Sequence, residues 1–466
     1  MWTPNLLDYE GPIYEKIAAA LARDIASGVL PPGARLPTLK ALAAALGVTP
    51  GTVNRAYEVA QRQGLVDGEV GRGTFVRGSA VAPASAPAAP GMPPPAAADL
   101  GNDWIDLSII KPNVHLQAGY ARTLLRDLAE TPDLSGLLDY TPDGGRPRHR
   151  EAGARWMQAM GMPARAEQVV LTAGSQHGLW VAVNALTRPD ELVLCESLCY
   201  PGIASVVLSL GRRLKGVATD DQGMTPDALR AQCRDERPAL TICIATCQNP
   251  TAGVMSVERR ERIAAIAREF DFILVDDDIY GFLAPEPLPP LASFAPERSL
   301  YLTSLSKSAL PSLRLGYVHG PAEWLTRLAA SVRTSIWMVS PLAAQLATTL
   351  IDSGKARELA STQRGEAAAR QLIARELLGH HAYRALPASY HLWLKLPPHW
   401  SSGEQFAALA RSHKLIVAGG DSFAMNRDGE GRQYVRIALM GPTREQLRFA
   451  LTKLAGLLST PDAAWL

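Results

Sequence analysis

The sequence predicts two domains of different class: a small N-terminal domain of three helices and a β-hairpin, and a larger C-terminal α/β domain with a mostly parallel sheet. The chain has 466 residues, more than the roughly 250 to 300 that one hydrophobic core usually serves. Alanine and proline dominate residues 79–98, and behind them short apolar runs alternate with helical segments. We therefore expect domains over residues 1–78 and 102–466, joined by a linker over 79–101.

The helices of the small domain are predicted by spacing and by their end signals. Apolar residues recur every four positions between residues 13 and 27, and a second helix over 38–46 stops at a glycine. A third helix starts at residue 49 or 50 and ends near 63, and the glycine-rich segment 65–77 alternates like a hairpin. This order is that of a winged helix-turn-helix, although an ordinary three-helix bundle would show the same periodicity.

The large domain owes its predicted class to apolar runs that alternate with helices, which is typical of a parallel sheet covered on both faces. Six runs are expected to be its strands: residues 169–173, 192–196, 240–246, 272–276, 300–304 and 315–319. Beyond residue 322 helices dominate, and two further strand-like runs, 390–396 and 434–440, indicate a smaller α+β lobe.

Composition excludes several classes of protein. The chain is 47% apolar and 20% charged, and no apolar run reaches the roughly 18 residues of a membrane span. The first thirty residues carry acidic side chains and lack the pattern of a signal peptide, so we expect a cytoplasmic protein without membrane contact. The five cysteines form no C-x-x-C pair, so neither disulfides nor a metal site are expected. A net charge of +2 does not decide the partners.

One lysine stands out in the segment SLSKSALPSLRLG over residues 304–316, directly after a predicted strand. A lone lysine is usually a solvated surface charge. Lys307, however, lies between apolar stretches, has hydroxyl residues beside it and is followed by Arg314 seven positions later. Such a buried amine suits a Schiff base to a phosphorylated aldehyde, because burial favours the neutral, nucleophilic form.

Other polar residues sit at the ends of predicted strands. Asp277 follows an apolar strand and is either part of an acidic loop or a functional carboxylate, and Asn249 alone would be read as a turn residue. Ser175 and Gln176 occupy a strand-to-helix junction, where free N–H groups favour an anion. Arg436 lies in a late apolar strand, as a core ion pair or as a carboxylate binder.

Residues 12–76 resemble the GntR family of bacterial transcription regulators nearly from end to end. The shared motifs are G-x-L-x-P-G-x-x-L-P, L-A-x-x-L-G-V-T, T-V-x-R-A-Y and G-x-G-T-F-V. The resemblance implies contacts with double-stranded DNA, at the backbone or bases through Lys40, Thr49, Thr52 and Arg55, and near the minor groove through Arg72 and Gly73. Six basic residues against three acidic ones between residues 35 and 77 suit salt-sensitive phosphate binding.

Residues of about 107–457 resemble the aminotransferases of pyridoxal phosphate fold type I, with the motifs in that family's order. The resemblance implies that Lys307 binds pyridoxal 5′-phosphate as a Schiff base and that Asp277 pairs with the ring nitrogen. It places Asn249 and Tyr280 on the phenolic oxygen of the ring and Tyr200 against the ring face. The phosphate would be held by Ser175, Gln176, Ser304, Ser306 and Arg314, and by Tyr140 of the partner subunit. Arg436 would bind the carboxylate of a substrate or effector.

A GntR domain linked to an aminotransferase domain resembles the MocR subfamily of regulators. That resemblance implies a homodimer that senses pyridoxal phosphate, an amino acid or an amine. A working aminotransferase that carries a DNA-binding domain stays open as the alternative, because nothing essential to catalysis looks lost. Sustained turnover would separate the two.

Overall fold

The computed structural model describes residues 2–5, 12–26, 29–30, 34–62, 65–69, 73–76, 103–131, 134–284, 286, 288–426 and 429–459. The chain divides into two compact units, Met1–Pro87 and Ala88–Leu466. The expected linker, residues 79–101, lies outside the described residues.

The small unit contains the three helices and the hairpin that the sequence predicts. Its elements are α1 (Ile13–Ala26), α2 (Leu39–Leu46), α3 (Pro50–Arg62), β1 (Val66–Glu69) and β2 (Gly73–Val76), the two strands being antiparallel. The Thr38 hydroxyl accepts a hydrogen bond from the N–H of Ala41 at 3.3 Å and so caps α2, which ends at Gly47 with a φ of 65°. A turn of three residues therefore separates α2 from α3, which is the helix-turn-helix arrangement.

The large unit alternates strands and helices through its first two thirds. In chain order its elements are β3 (Ile105–Asp106), α4 (Ala118–Ala129), α5 (Pro147–Ala159), β4 (Val169–Thr172), α6 (Ser175–Leu186), β5 (Leu192–Glu196), α7 (Pro201–Ser209), β6 (Arg213–Val217), β7 (Thr219–Asp220), β8 (Gly223–Met224), α8 (Pro226–Asp235), β9 (Leu240–Cys243), α9 (Val257–Phe270), β10 (Ile273–Asp277), β11 (Ser299–Ser304) and β12 (Gly316–His319). The remaining elements are α10 (Ala322–Ile336), α11 (Pro341–Asp352), α12 (Lys355–Leu378), β13 (Tyr383–Arg384), β14 (His391–Lys395), α13 (Gly403–Ser412), β15 (Leu415–Ile416), β16 (Ala418–Gly419), β17 (Tyr434–Ala438) and α14 (Arg444–Ser459).

Seven strands form the main sheet in the order β4-β12-β11-β10-β9-β5-β6, and only β12 runs antiparallel to its neighbours. All six predicted strands are present. Sequence analysis missed the edge strand β6, because its outer residues Arg213 and Lys215 are polar and break the apolar pattern. Alternate residues of β5 pack on opposite faces: Val193 with α6 and α7, and Leu194 with α8 and α9. The sheet is therefore covered by helices on both sides, as expected.

The smaller lobe is built on the antiparallel sheet β13-β14-β17-β16, with α12, α13 and α14 packed around its apolar residues. Both strands predicted for this lobe are present as β14 and β17. All five cysteines are buried and free. No helix in the described ranges is long and apolar enough to cross a membrane.

Candidate functional site

The ends of the parallel strands bring the candidate residues to one edge of the main sheet. Asp277 is the last residue of β10, which pairs in parallel with β9 and β11. Asn249 follows β9, Lys307 follows β11, and Ser175 begins the helix after β4. Because carboxyl ends of parallel strands share one edge, residues distant in sequence meet there.

Both the side chain and the backbone of Lys307 form hydrogen bonds. Its side-chain Nζ donates to the carbonyl oxygen of Ile110 at 2.5 Å, and its own carbonyl accepts from the Tyr390 hydroxyl at 2.8 Å. Burial lowers the pKa of the Lys307 amine to about 8, and the charges of Arg436 and Arg314 act in the same direction. A substantial share of this amine is therefore neutral near physiological pH, as a nucleophile requires.

The three consecutive aspartates at the end of β10 differ in their hydrogen bonds. Asp276 accepts from the N–H of Ala292 at 3.0 Å, and Asp278 accepts from the Tyr301 hydroxyl at 2.8 Å. Within the described part of the chain the Asp277 carboxyl accepts no hydrogen bond, although it is only 2% exposed. Burial raises its pKa to about 7, helped by the charges of its acidic neighbours. Of the three, Asp277 is the one with neither oxygen in a hydrogen bond within the described residues, which leaves its whole carboxyl for a protonated ring nitrogen.

Arg436 lies on β17 of the smaller lobe and is buried against the large sheet. Its Nη1 donates to Oδ1 of Asn249 at 2.8 Å, and its Nη2 donates to the carbonyl oxygen of Ser108. The guanidinium lies 4.7 Å from the ring centre of Phe423, and burial lowers its pKa to about 10. Its Nε has no partner among the described residues, which leaves a donor for a carboxylate.

An anion cradle forms where α6 begins. Gly174, with a φ of 85°, precedes Ser175, and the Nη2 of Arg314 donates to the carbonyl oxygen of Ala173 at 3.3 Å. A Cβ atom on Gly174 would lie 2.9 Å from that Nη2, so any larger residue would displace the guanidinium from its place at the start of the helix. Free helix N–H groups and an arginine together bind phosphate well.

The remaining hydroxyl and amide candidates for the phosphate are Ser304, Ser306 and Gln176. The N–H of Ser306 donates to Oγ of Ser304 at 3.4 Å, while the hydroxyl of Ser306 is buried without a partner among the described residues. Gln176 donates through Nε2 to the carbonyl oxygen of Gly202 at 3.1 Å. Ser304 pairs with Gly316 on β12, and Gly316 pairs with Thr172 on β4, so Ser304 lies two strands away from the strand that leads into α6.

The tyrosines divide into two groups. Tyr280 is buried, and Tyr200 is partly buried. Burial raises the pKa of the Tyr200 hydroxyl, and the charge of Asp277 adds to that rise. Tyr140, by contrast, is 73% exposed, with its ring edge-on to Trp337 at 6.1 Å. It makes no hydrogen bond to the other predicted cofactor residues in the described structure.

Sequence analysis missed three buried polar residues beside this site. Tyr390 binds the carbonyl of Lys307, and His391 faces the Gln248 carbonyl oxygen at 3.2 Å and the Tyr280 ring at 6.4 Å. Gln248 accepts from the Thr251 hydroxyl at 2.8 Å and donates to the Leu198 carbonyl at 2.6 Å. The polar residues Tyr390 and His391 at the start of an otherwise apolar strand were the signal that could have revealed two of them.

The arrangement fits pyridoxal 5′-phosphate. The site combines a buried amine of lowered pKa, a buried carboxyl without a hydrogen-bond partner in the described chain, and a glycine-dependent cradle at a helix start. These groups match the aldehyde, the ring nitrogen and the phosphate of that cofactor.

The first turn of α3 forms an exposed polar face on the small unit. The hydroxyl oxygens of Thr49 and Thr52 lie 3.0 Å apart, and the guanidinium of Arg55 lies 4.2 Å from the ring centre of Tyr14 on α1. Lys40 is exposed on α2. Gly73 begins β2, whereas Arg72 lies outside the described residues.

Comparisons with known proteins match both units. The family model for class I and II aminotransferases matches residues 105–454, and that for bacterial regulatory proteins of the gntR family matches residues 13–76. The uncharacterised HTH-type transcriptional regulator YdeF of Bacillus subtilis is 28% identical over 460 residues, which cover 98% of this chain and 96% of that protein. The HTH-type transcriptional regulator TauR of Rhodobacter capsulatus is 30% identical over 357 residues, which cover 69% of this chain and 70% of that protein.

The crystal structure of an archaeal alanine:glyoxylate aminotransferase shares the fold of the large unit. The match covers 77% of this chain and 91% of the aminotransferase chain, with a TM-score of 0.72 and 22% sequence identity. Family and site together indicate pyridoxal 5′-phosphate as the cofactor. The chain belongs to the class I and II aminotransferase family and carries a GntR-type DNA-binding domain before it, the combination found in the MocR subfamily of transcriptional regulators.

Proposed function

We propose that this protein is a transcription regulator whose large domain holds pyridoxal phosphate and uses it to sense an amino acid or an amine. The observation that carries the proposal is a buried Lys307 amine of lowered pKa, with groups suited to the ring nitrogen and phosphate of the cofactor, in a chain that also has a GntR domain. Relatives that match nearly the whole chain bear the names of transcriptional regulators, which supports a regulatory role. Such a regulator acts on the chromosome and hence in the cytoplasm.

Bound pyridoxal phosphate supplies an aldehyde that condenses with primary amines and a ring that accepts electrons. The chain's own residues would anchor it at three points. Lys307 offers a neutral amine, Asp277 can share a proton with the ring nitrogen, and Arg314 with the first turn of α6 would hold the phosphate. Asn249 and Tyr280 are proposed for the phenolic oxygen, and Tyr200 for the ring face.

Arg436 is proposed to select an effector that bears a carboxylate. The guanidinium is already oriented by Asn249, Ser108 and the Phe423 ring, so little side-chain entropy remains to be lost on binding. A carboxylate bound at Nε, which has no partner among the described residues, would share this guanidinium with Asn249. Effector binding at Arg436 would thus be communicated to Asn249, the residue proposed for the phenolic oxygen of the cofactor's ring.

For DNA binding, the first turn of α3 is proposed to enter the major groove, with Thr49, Thr52 and Arg55 facing the duplex. A homodimer is proposed because Tyr140 lies exposed beside Trp337, which is also exposed, as suits a side chain that reaches a partner subunit. Two heads would then engage two half-sites.

A working aminotransferase is the second candidate, since the chain retains Lys307, Asp277 and Arg436. Turnover separates the candidates: an enzyme makes many equivalents of keto acid per chain, and a sensor makes about one or none. The test uses full-length protein, each common amino acid in turn with 2-oxoglutarate, and duplex DNA selected from random sequences.

We expect one amino acid or amine to change both the cofactor absorbance and the affinity for the selected duplex. Lys307→Ala should abolish the covalent attachment that borohydride reduction otherwise fixes, together with the effector response. Lys395→Ala, at an exposed position on β14, is the matched control and should retain both. Sustained turnover without specific DNA binding would contradict the proposal and favour the enzyme.

A further inference from the structure

A cavity of about 380 Å³ lies between α12 and the turn that follows β10, on residues that the cofactor site does not use. Ligand pockets in proteins typically measure roughly 300 to 1,000 Å³, so this volume suits a small metabolite. The residues that matter for its chemistry are Gln158, Thr246, Asp278, Phe282, Arg357 and Arg364.

One wall of the cavity is cationic. Arg357, Ser361 and Arg364 follow one another at spacings of four and three on α12, which places them on a single helix face. In the described part of the chain neither guanidinium has an acidic partner, and Arg364 reaches only the carbonyl oxygen of Ala284, at 3.5 Å. Two arginines without counter-charge on one wall favour an anion.

Another part of the lining offers a hydrogen-bonding carboxyl. Asp278 is 6% exposed; its Oδ2 accepts from Tyr301, and its Oδ1 has no partner among the described residues. Thr246 accepts from Nη2 of Arg260 at 2.9 Å, so its own hydroxyl hydrogen stays available for donation. A buried polar atom without a partner is costly, and a ligand's hydroxyl or ammonium group would satisfy it.

We propose that this cavity is a second effector site for a small organic carboxylate that also carries a hydrogen-bond donor. The carboxylate would lie on Arg357 and Arg364, and its hydroxyl or ammonium group would face Asp278. This site is distinct from the one at Arg436, because Arg357 and Arg364 lie on α12 whereas Arg436 lies on β17.

Contacts lead from this cavity to the cofactor lysine. Phe282 lines the cavity and packs edge-on against Tyr390 at 5.9 Å, and the Tyr390 hydroxyl binds the carbonyl of Lys307. Asp278, in turn, directly follows Asp277. Occupancy would therefore alter how firmly the cofactor is held. This regulatory part rests on the function proposed above, whereas binding in the cavity does not.

The test uses full-length protein loaded with pyridoxal phosphate and titrated calorimetrically with L-malate, which has two carboxylates and a hydroxyl but no amine to react with the cofactor. We expect saturable binding that Arg357→Gln or Arg364→Gln each weakens about tenfold or more, since each variant loses a charge-assisted contact. The double variant should abolish it. Arg375→Gln, also exposed on α12 but outside the cavity, should bind malate normally.

Arg436→Gln separates the two sites and should retain malate binding. Loss of binding in Arg436→Gln with normal binding in Arg357→Gln would overturn the proposal, because the malate would then occupy the cofactor site. Absence of saturable binding to the wild type would overturn it as well. In either case intact cofactor absorbance and DNA binding would leave the proposed function standing, so the two failures are distinguishable.

Discussion

The guanidinium of Arg436 donates to the side-chain oxygen of Asn249 at 2.8 Å, across 187 positions of sequence. Arg436 comes from the antiparallel sheet of the smaller lobe, and Asn249 follows a strand of the main sheet. The residue proposed for an effector's carboxylate and the residue proposed for the cofactor's ring oxygen therefore form one hydrogen-bonded unit. A change at either should be measurable at the other.

Arg436→Lys should lower the affinity for the effector by about tenfold or more and should also shift the cofactor's absorbance. Lysine keeps the charge but cannot hold Asn249, Ser108 and a carboxylate together through a planar fork. Effector titrations followed by absorbance check this. Arg384→Lys, at an exposed arginine on β13, is the control. An unchanged effector affinity in Arg436→Lys would remove Arg436 from the binding site.

Capture of pyridoxal phosphate by the apoprotein should depend on pH through Lys307. Below its pKa of about 8 the neutral amine falls tenfold per pH unit, so the capture rate should fall likewise and level off above pH 8. An ordinary lysine would level off only near 10.5. Stopped-flow absorbance measures this, and a plateau beginning near pH 10 would contradict the lowered pKa.

The lowered pKa of Lys307 also makes the free energy of unfolding of the apoprotein depend on pH. The folded apoprotein binds fewer protons at Lys307 than the unfolded chain between about pH 8 and 10.5. This group's contribution to the free energy of unfolding should therefore rise with pH across that window.

Asp277→Asn should lower the affinity for pyridoxal phosphate by roughly ten- to a hundredfold, because the ring nitrogen loses an anionic partner. Equilibrium dialysis measures the affinity. Asp227→Asn, at an exposed position on α8, should have no effect. If Asp277→Asn bound normally while Asp276→Asn did not, the role would belong to Asp276, whose carboxyl already accepts from the chain.

Gly174→Ala should strongly lower the affinity for pyridoxal phosphate. It should hardly change the affinity for pyridoxal, which has no phosphate. The added Cβ would push the Arg314 guanidinium away from the start of α6. Gly354→Ala is a close control, since Gly354 also has a positive φ of 75° but its Cβ would meet open space. Both variants should lose about 1 kcal/mol of stability through backbone strain, and only Gly174→Ala should lose phosphate affinity. Equal losses for both ligands would place the phosphate elsewhere.

Arg55→Ala should weaken binding to the selected duplex and reduce its salt dependence by about one unit of slope. Tyr14→Leu should give a smaller loss, because the tyrosine ring orients the Arg55 guanidinium. Fluorescence anisotropy at several salt concentrations measures both. Arg230→Ala, in the large unit, is the charge-matched control. Normal binding by Arg55→Ala would move the DNA contact to another part of the small unit.

The sequence by itself determined the two classes of domain and most of their elements. Apolar runs such as residues 272–276 predict buried parallel strands, because both faces of such strands are covered. The glycine signal placed the end of α2, since Gly47 acts on backbone groups only a few positions away. The edge strand β6 was not predicted, because its exposed polar residues break the apolar pattern.

The candidate site was predicted as a set of separate residues, and only the tertiary structure decided how they meet. Local patterns name Asp277 among three aspartates, yet the neighbours Ala292 and Tyr301, which occupy the other two, come from distant segments. Likewise Tyr390 and His391 join the site because β14 packs against the ends of the main sheet's strands, a relation that no short window contains. Local propensity acts over a few residues, whereas burial and charge at a site depend on long-range packing, and these set the pKa of Lys307.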